Sequence, residues 1–317
     1  MLNDLQVPKH YKSYLRIGTC SWKYDSWKGL VYDQEKKYNP YDYLTDYARY
    51  FNTVEIDQWF WSLFPKGAKL PDSETVRRYA DSVPDDFLFT VKAPNSITLT
   101  NYYTKQTPAL KAFANRSNPY FLDVELLNRF LETLEPMRDK LGPIMFQFEY
   151  LNKKKMPSKE AFLERLEQFF DRAPKGYDYA IETRNKNYLT EDFFEFLKKS
   201  VLGFVLLEGY YMPRIAEVAA KCDIRTAKFS IVRLHGPDRQ GIEERTGGLW
   251  NEVVEPKDKG LNETASIVEE NTKEGITTFL NVNNHYEGCA PLTIQRFLGG
   301  CSVVIKKGCK RMLPAPS

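Results

Sequence analysis

Three short stretches set acids, bases and cations on alternate positions: TVEID over 53–57, IETR over 181–184 and VRLH over 232–235. In an extended chain, side chains two apart share a face. Glu55 then lies with Asp57, Glu182 with Arg184, and Arg233 with His235, while Val54, Ile56, Ile181, Val232 and Leu234 turn the other way. The same reading puts Thr90 with Lys92, Gln147 with Glu149, and Asn281 with Asn283, and adds Glu208. Desolvating such groups costs several kcal/mol apiece unless they are paired or wetted. A polar face repeated on so many strands therefore points to a working site. Its bland alternative is a salt-bridge network closing one end of the fold.

The residue types suggest distinct tasks. Glu55 or Glu182 with His235 could exchange protons near neutral pH, where imidazole titrates. Lys92, Arg184 and Arg233 suit phosphate or carboxylate, the guanidinium with bidentate geometry. Asn281, Asn283 and Asn284 offer neutral donors and acceptors for a hydroxyl or an oxyanion. Aromatic side chains surround these positions: Trp22, Tyr24 and Trp27 follow Ser21 in GTCSWKYDSW (18–27), and Trp59 and Trp61 follow Asp57. Rings at a polar mouth can stack on a sugar face or a base, the latter contributing ~1–3 kcal/mol. Equally, they can cap a hydrophobic core.

Metal chemistry is the competing proposal. Glu55, Asp57, Glu149, Glu182, Glu208 and His235 could hold a magnesium- or manganese-type ion through oxygen. A zinc cluster needs more nitrogen ligands than His10, His235 and His285 offer. No metal and no cofactor are therefore expected. The chain has no G-x-x-x-x-G-K-[ST] loop, G-x-G-x-x-G turn, G-x-S-x-G elbow or H-E-x-x-H helix.

The elements that would position this set read as a repeating strand–helix pattern. Apolar runs at 15–20, 53–57, 87–92, 143–149, 178–184, 203–208, 229–235 and 277–283 predict strands. Between them, Ser158 predicts an N-cap for a helix presenting Phe162, Leu166, Phe169 and Phe170 on one face. Asn39-Pro40 and Thr190 with Glu191 and Asp192 predict two further helix starts. Segments 123–141, 262–275 and 291–299 complete the helical set. Strand–helix alternation predicts parallel βαβ units, and eight strands predict an α/β fold of the closed (β/α)₈ type. A doubly wound open sheet is the runner-up. The whole of 1–317 reads as one barrel domain, with an irregular insertion over 93–122.

Composition sets the limits. In 317 residues, 42% hydrophobic and 14% aromatic side chains are enough for a large core and argue against disorder. A net charge of +3 is too small for a dedicated nucleic-acid binder, so nucleic acid is permitted and not indicated. The five cysteines show no CxxC spacing. No apolar run approaches the ~18 residues of a membrane span, and residues 1–16 lack the apolar stretch of a signal peptide, so cytoplasmic residence without membrane contact is expected. The expected partner is a small anionic or sugar-containing ligand.

Seven stretches resemble the YecE-like family, domain of unknown function 72. They are GTCSWKYDSWKGLVY (18–32), VEIDQWFWSLFP (54–65), FLFTVKAP (87–94), LGPIMFQFE (141–149), IETR (181–184), VRLHG (232–236) and LNVNNHYEGCAP (280–291). The resemblance implies a TIM-type barrel, distantly similar to sugar isomerases and endonuclease IV, with no settled activity. It aligns Trp22, Glu55, Lys92, Gln147, Glu182, Arg184, Arg233, His235, Asn283 and Asn284 with the family's recurrent polar set. The chain departs from the family pattern at Ser21, at Asp57 where Asn is common, and at Thr98-Leu99 where Thr-His is usual.

Overall fold

A computed structural model describes residues 2, 7, 8, 11, 13–103 and 112–308, the last eight of these without their side chains. His10, Cys309 and the side chain of Cys301 lie outside the described residues. All eight expected strands form: β1 (Leu15–Thr19), β2 (Thr53–Ile56), β3 (Leu88–Lys92), β4 (Leu141–Gln147), β5 (Tyr179–Glu182), β6 (Gly203–Gly209), β7 (Phe229–Gly236) and β8 (Thr277–Val282). Their hydrogen-bonded order is β1-β8-β7-β6-β5-β4-β3-β2, and every ladder is parallel. Helices flank this nearly closed ring, which is a (β/α)₈ barrel.

The ring meets itself between β1 and β2, where no ladder forms. Side chains join the two edges instead. Asn52 Oδ1 accepts from the Ile17 N–H at 2.7 Å, and its Nδ2 donates to the Leu15 carbonyl at 3.1 Å. The buried Tyr47 hydroxyl accepts from the Thr19 N–H at 2.8 Å and donates to the Thr53 carbonyl at 3.1 Å. Gly18 permits this approach, because a Cβ there would collide with the Thr53 carbonyl oxygen.

Local sequence chemistry explains the helices. The Ser158 hydroxyl accepts from the Ala161 N–H at 3.2 Å and starts Lys159–Arg172, whose Phe162, Leu166, Phe169 and Phe170 are all buried. Thr190 precedes Glu191–Lys199 with both acids in the first turn, but its hydroxyl bonds Lys159 and the Tyr188 carbonyl and leaves the helix uncapped. Asn39 caps from further back, its Oδ1 taking the Tyr41 and Asp42 N–H groups ahead of Asp42–Tyr47. Segment 123–141 is not one helix. Asp123 caps Val124–Leu134, and with Pro136 the chain tightens into a 3₁₀ stretch, Glu135–Lys140, before β4. Segment 262–275 begins earlier, as Asp258–Lys273, and 291–299 continues further, as Ala290–Gly308. Ser73–Asp81, Ile215–Ala219, Arg239–Thr246 and a hairpin of Leu63–Phe64 with Gly67–Ala68 add to the expected set. The insertion after β3 is held by side-chain amides. Asn95 accepts from the Ser62 and Leu63 N–H groups, and Asn118 donates to the Ser96 and Leu99 carbonyls.

Alternation along the strands divides the core. Val54, Ile56, Phe89, Val91, Phe146, Ile181, Val232 and Leu234 belong to the main cluster under the helices. Met145, Ala180, Val205, Phe229, Ile231 and Phe279 form a second cluster that fills the N-terminal half of the barrel. Fully burying each such side chain stabilises by ~1.5–3 kcal/mol. Nothing comparable fills the C-terminal half, where the inward positions become polar. Glu208 corrects the expected pattern. Val205 faces inward, so Glu208, three residues on, faces outward; its carboxylate accepts from the Ile215 N–H at 2.8 Å and lies 3.7 Å from Arg214. Among the described residues no helix is long and apolar enough to cross a membrane.

Candidate functional site

Arg233 rises from the middle of β7, a strand buried at every residue, and points across the barrel. Its Nε and Nη2 donate to Glu55 Oε2 and Oε1 at 2.8 and 2.6 Å. Nη1 donates to Glu182 Oε2 at 2.5 Å and to Gln147 Oε1 at 3.3 Å. The other oxygen of Glu182 faces Arg184 Nη2 at 2.7 Å. Arg233, Glu55 and Glu182 are 2%, 0% and 1% exposed, so the charges neutralise one another away from water. Burial alone would lift the Glu182 carboxyl, but Arg184 and Arg233 outweigh it and hold the group below its usual range. Burial likewise opposes the charge of Arg233, while Glu182 and Glu55 reverse that effect and keep the guanidinium protonated. Asn281, the ladder neighbour of Arg233, donates to Thr90 Oγ1 at 3.0 Å; its own Oδ1 is buried with no partner among the described residues.

A second tier lies towards the strand ends. Lys92 is 8% exposed, with its ammonium 3.9 Å above the Phe60 ring. It makes no ion pair among the described residues, and burial followed by Arg233 pulls its pKa down. Asp57 also stands without an ion pair, and burial reinforced by Glu55 pushes its carboxyl up. His235 is held between two groups: Nε2 lies 3.5 Å from Cys20 Sγ and Nδ1 lies 3.2 Å from the Tyr210 hydroxyl. Burial, then the cations Arg233, Arg184 and Lys92, keep this imidazole neutral at ordinary pH. Burial and Glu55 raise the Cys20 thiol well above its usual value. The Tyr210 ring also packs 4.6 Å from the Arg184 guanidinium, which lies towards solvent. Tyr24 is pushed up to about 12 by burial and by Asp57.

The expected set thus separates into three groups. Glu55, Gln147, Glu182, Arg233 and Asn281 form the buried network. Asp57, Lys92, Arg184, His235 and Tyr24 form the tier above it. The rest have other partners. Trp27, at 0% exposed and with Tyr24 and Tyr32 against its ring, lies wholly in the core. Trp22 is equally enclosed and meets Tyr79 edge-on at 5.2 Å. These two indoles are therefore core caps, a correction of their assignment to ligand contact: the turn after β1 tucks them beneath the rim. Trp59 stays half-buried, stacked on Tyr79 at 5.9 Å. The Ser21 carbonyl accepts the Thr19 hydroxyl. Asn283 Oδ1 accepts from the His285 N–H at 3.0 Å, and Asn284 Oδ1 from the Ala290 N–H at 2.9 Å, so both amides brace the loop after β8. Glu149 pairs with Lys155, away from the network. Among the described residues no three His, Cys, Asp or Glu side chains converge as a metal site.

Two participants were not anticipated. Cys20 is signalled by alternation, since it stands two residues after the inward Gly18. Tyr210 carries no such signal: it follows a bulge at Glu208–Gly209 and adopts a φ of 55°.

Fold and site together define a (β/α)₈-barrel protein with a buried carboxylate–guanidinium network beneath its C-terminal mouth. The chain belongs to the family described as protein of unknown function DUF72, whose model matches residues 16–305. A DUF72 family protein of Thermotoga maritima MSB8 is 22% identical over 91% of this chain and 99% of its own, with a TM-score of 0.64. Another, from Enterococcus faecalis V583, is 19% identical over 90% and 95% of the two chains, with a TM-score of 0.61. At these identities the likeness is one of fold. No curated protein matches the chain.

Proposed function

We propose that the C-terminal mouth is the active site of a metal-independent enzyme. It transfers a proton on a small anionic substrate, sugar-containing or phosphate-bearing. One observation supports this most: Arg233 occupies both Glu55 and Glu182, while Lys92 and Asp57, just above, are left without ion pairs. A network built only to close the barrel would have paired them, because an unpaired ammonium as enclosed as that of Lys92 is costly.

On this reading Lys92 and the solvent-facing edge of Arg184 receive the anion. Asp57, its carboxyl raised by burial and by Glu55, and neutral His235 handle the proton. Glu55 and Glu182 act as positioning residues through Arg233. Asp57 stands where the family commonly has Asn. The reading includes one barrel domain, residence in the cytoplasm, and no cofactor.

Thermal-shift and calorimetric titration against sugar phosphates and sugar acids tests it. Lys92→Met and Arg184→Met should each abolish the binding seen with the unaltered chain, while Asp57→Asn should retain binding and lose turnover. Binding unchanged in the Lys92→Met/Arg184→Met double variant refutes the assignment. One feature favours a second reading, recognition of single-stranded nucleic acid. Trp61 is half exposed and stacks on Tyr103 at 6.0 Å with a 23° interplanar angle, a platform a base could extend. A gel-shift titration at low salt without any retarded species removes that reading.

A further inference from the structure

Tyr210 is held where its side chain stands against the backbone's own preference. A bulge ends the pairing of β6 with β7 at Glu208–Gly209, and Tyr210, the next residue, takes a φ of 55°. That left-handed region favours glycine or asparagine, and a bulky aromatic residue there is strained. The backbone is pinned all the same, because the Tyr210 N–H donates to the Gly236 carbonyl at 3.0 Å. Strain of this kind collects where a side chain must be aimed. Here the Arg184 guanidinium sits over the ring, 4.6 Å from its centre, and the hydroxyl lies 3.2 Å from His235 Nδ1.

The hydrogen bonds around His235 decide which group can reach a substrate. His235 is 7% exposed and both its ring nitrogens are occupied, Nε2 by Cys20 and Nδ1 by Tyr210. Cys20 is 3% exposed, and its thiol has no other hydrogen-bond partner among the described residues. Buried donors are normally satisfied, so the S–H donates to Nε2. A neutral imidazole then carries its proton on Nδ1 and donates it to the Tyr210 oxygen. The O–H of Tyr210, half-buried and with no other partner among the described residues, is left to face the mouth. Burial raises this phenol, against the pull of Arg184 and Arg233, and keeps its proton in place at neutral pH.

We propose that Tyr210 is the general acid of the mouth, with His235 and Cys20 as positioning residues behind it. The assignment rests on the function proposed above and names its acid and its class of substrate. β6 stands four places from β2 whichever way the ring is followed, so the strand end carrying Tyr210 lies opposite the one carrying Asp57. A base and an acid on opposite sides suit a substrate with a carbonyl group. Asp57 takes a proton from the carbon beside the carbonyl, and the C–H electron pair forms a C=C bond. The carbonyl π pair takes the proton of Tyr210. The phenolate keeps the O–H pair and accepts from His235 Nδ1–H beside the charge of Arg184. The reverse step returns both protons; in deuterated water the proton on Asp57 exchanges first, so the carbon gains deuterium.

That deuterium uptake, followed by proton NMR over keto and aldo sugar phosphates and keto sugar acids, tests the step. Tyr210→Phe keeps the ring under Arg184 and removes only the hydroxyl. It should lower kcat for exchange about 100-fold or more with little change in KM, since Lys92 and Arg184 still hold the anion. Nitrogen NMR of His235 in the unaltered chain gives a readout that needs no substrate, and the Nδ1–H tautomer is expected. The Nε2–H tautomer overturns the inference. So does exchange in Tyr210→Phe as fast as in the unaltered chain, which leaves the reading of the mouth as an active site standing. Binding at Lys92 and Arg184 without exchange in any compound overturns the inference and leaves only an anion site. If no compound binds there, the active-site reading fails and the inference fails with it.

Discussion

Arg233→Met is the most informative single change. The guanidinium donates three short bonds to two carboxylates that are 0% and 1% exposed. Each charge-assisted bond contributes ~1.5–3 kcal/mol, but these contributions are offset by the desolvation of arginine itself. The larger effect is what remains: two buried carboxylates facing each other without their shared partner. Breaking a buried pair in this way costs about 3–5 kcal/mol. Arg184 still touches Glu182, which favours the lower end, about 3 kcal/mol. Against a total stability of ~5–15 kcal/mol, that is a large fraction. Urea denaturation at neutral pH measures it. The loss should shrink on acidification. In the unaltered chain Glu182 is held below its usual range, so its contribution is full above the unfolded carboxyl pKa and fades as pH falls through the folded one. In the variant, a carboxylate stripped of its cation shifts up and is relieved by protonation. Adding Glu55→Gln and Glu182→Gln to Arg233→Met should recover most of the stability. A cost below about 1 kcal/mol, or no recovery in the triple variant, would falsify the account of the network as a mutually neutralised cluster.

Other expectations can be checked directly. Asn52→Ala removes both bonds to the β1 backbone and should cost about 2 kcal/mol in denaturant unfolding; a neutral change would show the seam is closed by packing alone. His235, depressed by burial and then by Arg233, stabilises the fold above the unfolded imidazole pKa and withdraws that stability as pH falls; its ring resonances should stay in the neutral form from pH 8 to about 6. Movement of those resonances with a midpoint near the ordinary imidazole value would contradict the burial argument. Cys20, raised by burial and by Glu55, should resist alkylation in the native protein at pH 8, as read by mass spectrometry. Labelling as fast as in urea would show that the site is open.

Much of this was legible because it follows from alternation. Val54 against Glu55, Ile181 against Glu182 and Val232 against Arg233 define an inside and an outside before any contact is known. Glu208 shows one limit: the run before it, GFVLL, is apolar on both faces and does not say which is inside, although alternation from Val205 holds. Register faults are another: Tyr210 enters the site only after a bulge at Glu208–Gly209. Pairing between distant strands was not legible either. Arg233 meets Glu55 only because the ring bends β7 towards β2, a property of closure and not of any local motif. For the same reason, three cations and several acids could be read as an anion site, although one cation, Arg233, is already occupied by carboxylates. Trp27 shows the limit for loops, where nothing in the spacing says whether a ring turns up to the rim or down to the core.

The seam between β1 and β2 bears on how the molecule is made. Among the described residues the only ladder of β1 is to β8, the last barrel strand to leave the ribosome. Until residues 277–282 have been synthesised, the earliest strand has no backbone partner on one side and only Asn52 and Tyr47 on the other. Closure therefore depends on the two ends of the barrel sequence finding each other. Until they do, the nascent sheet carries two open edges.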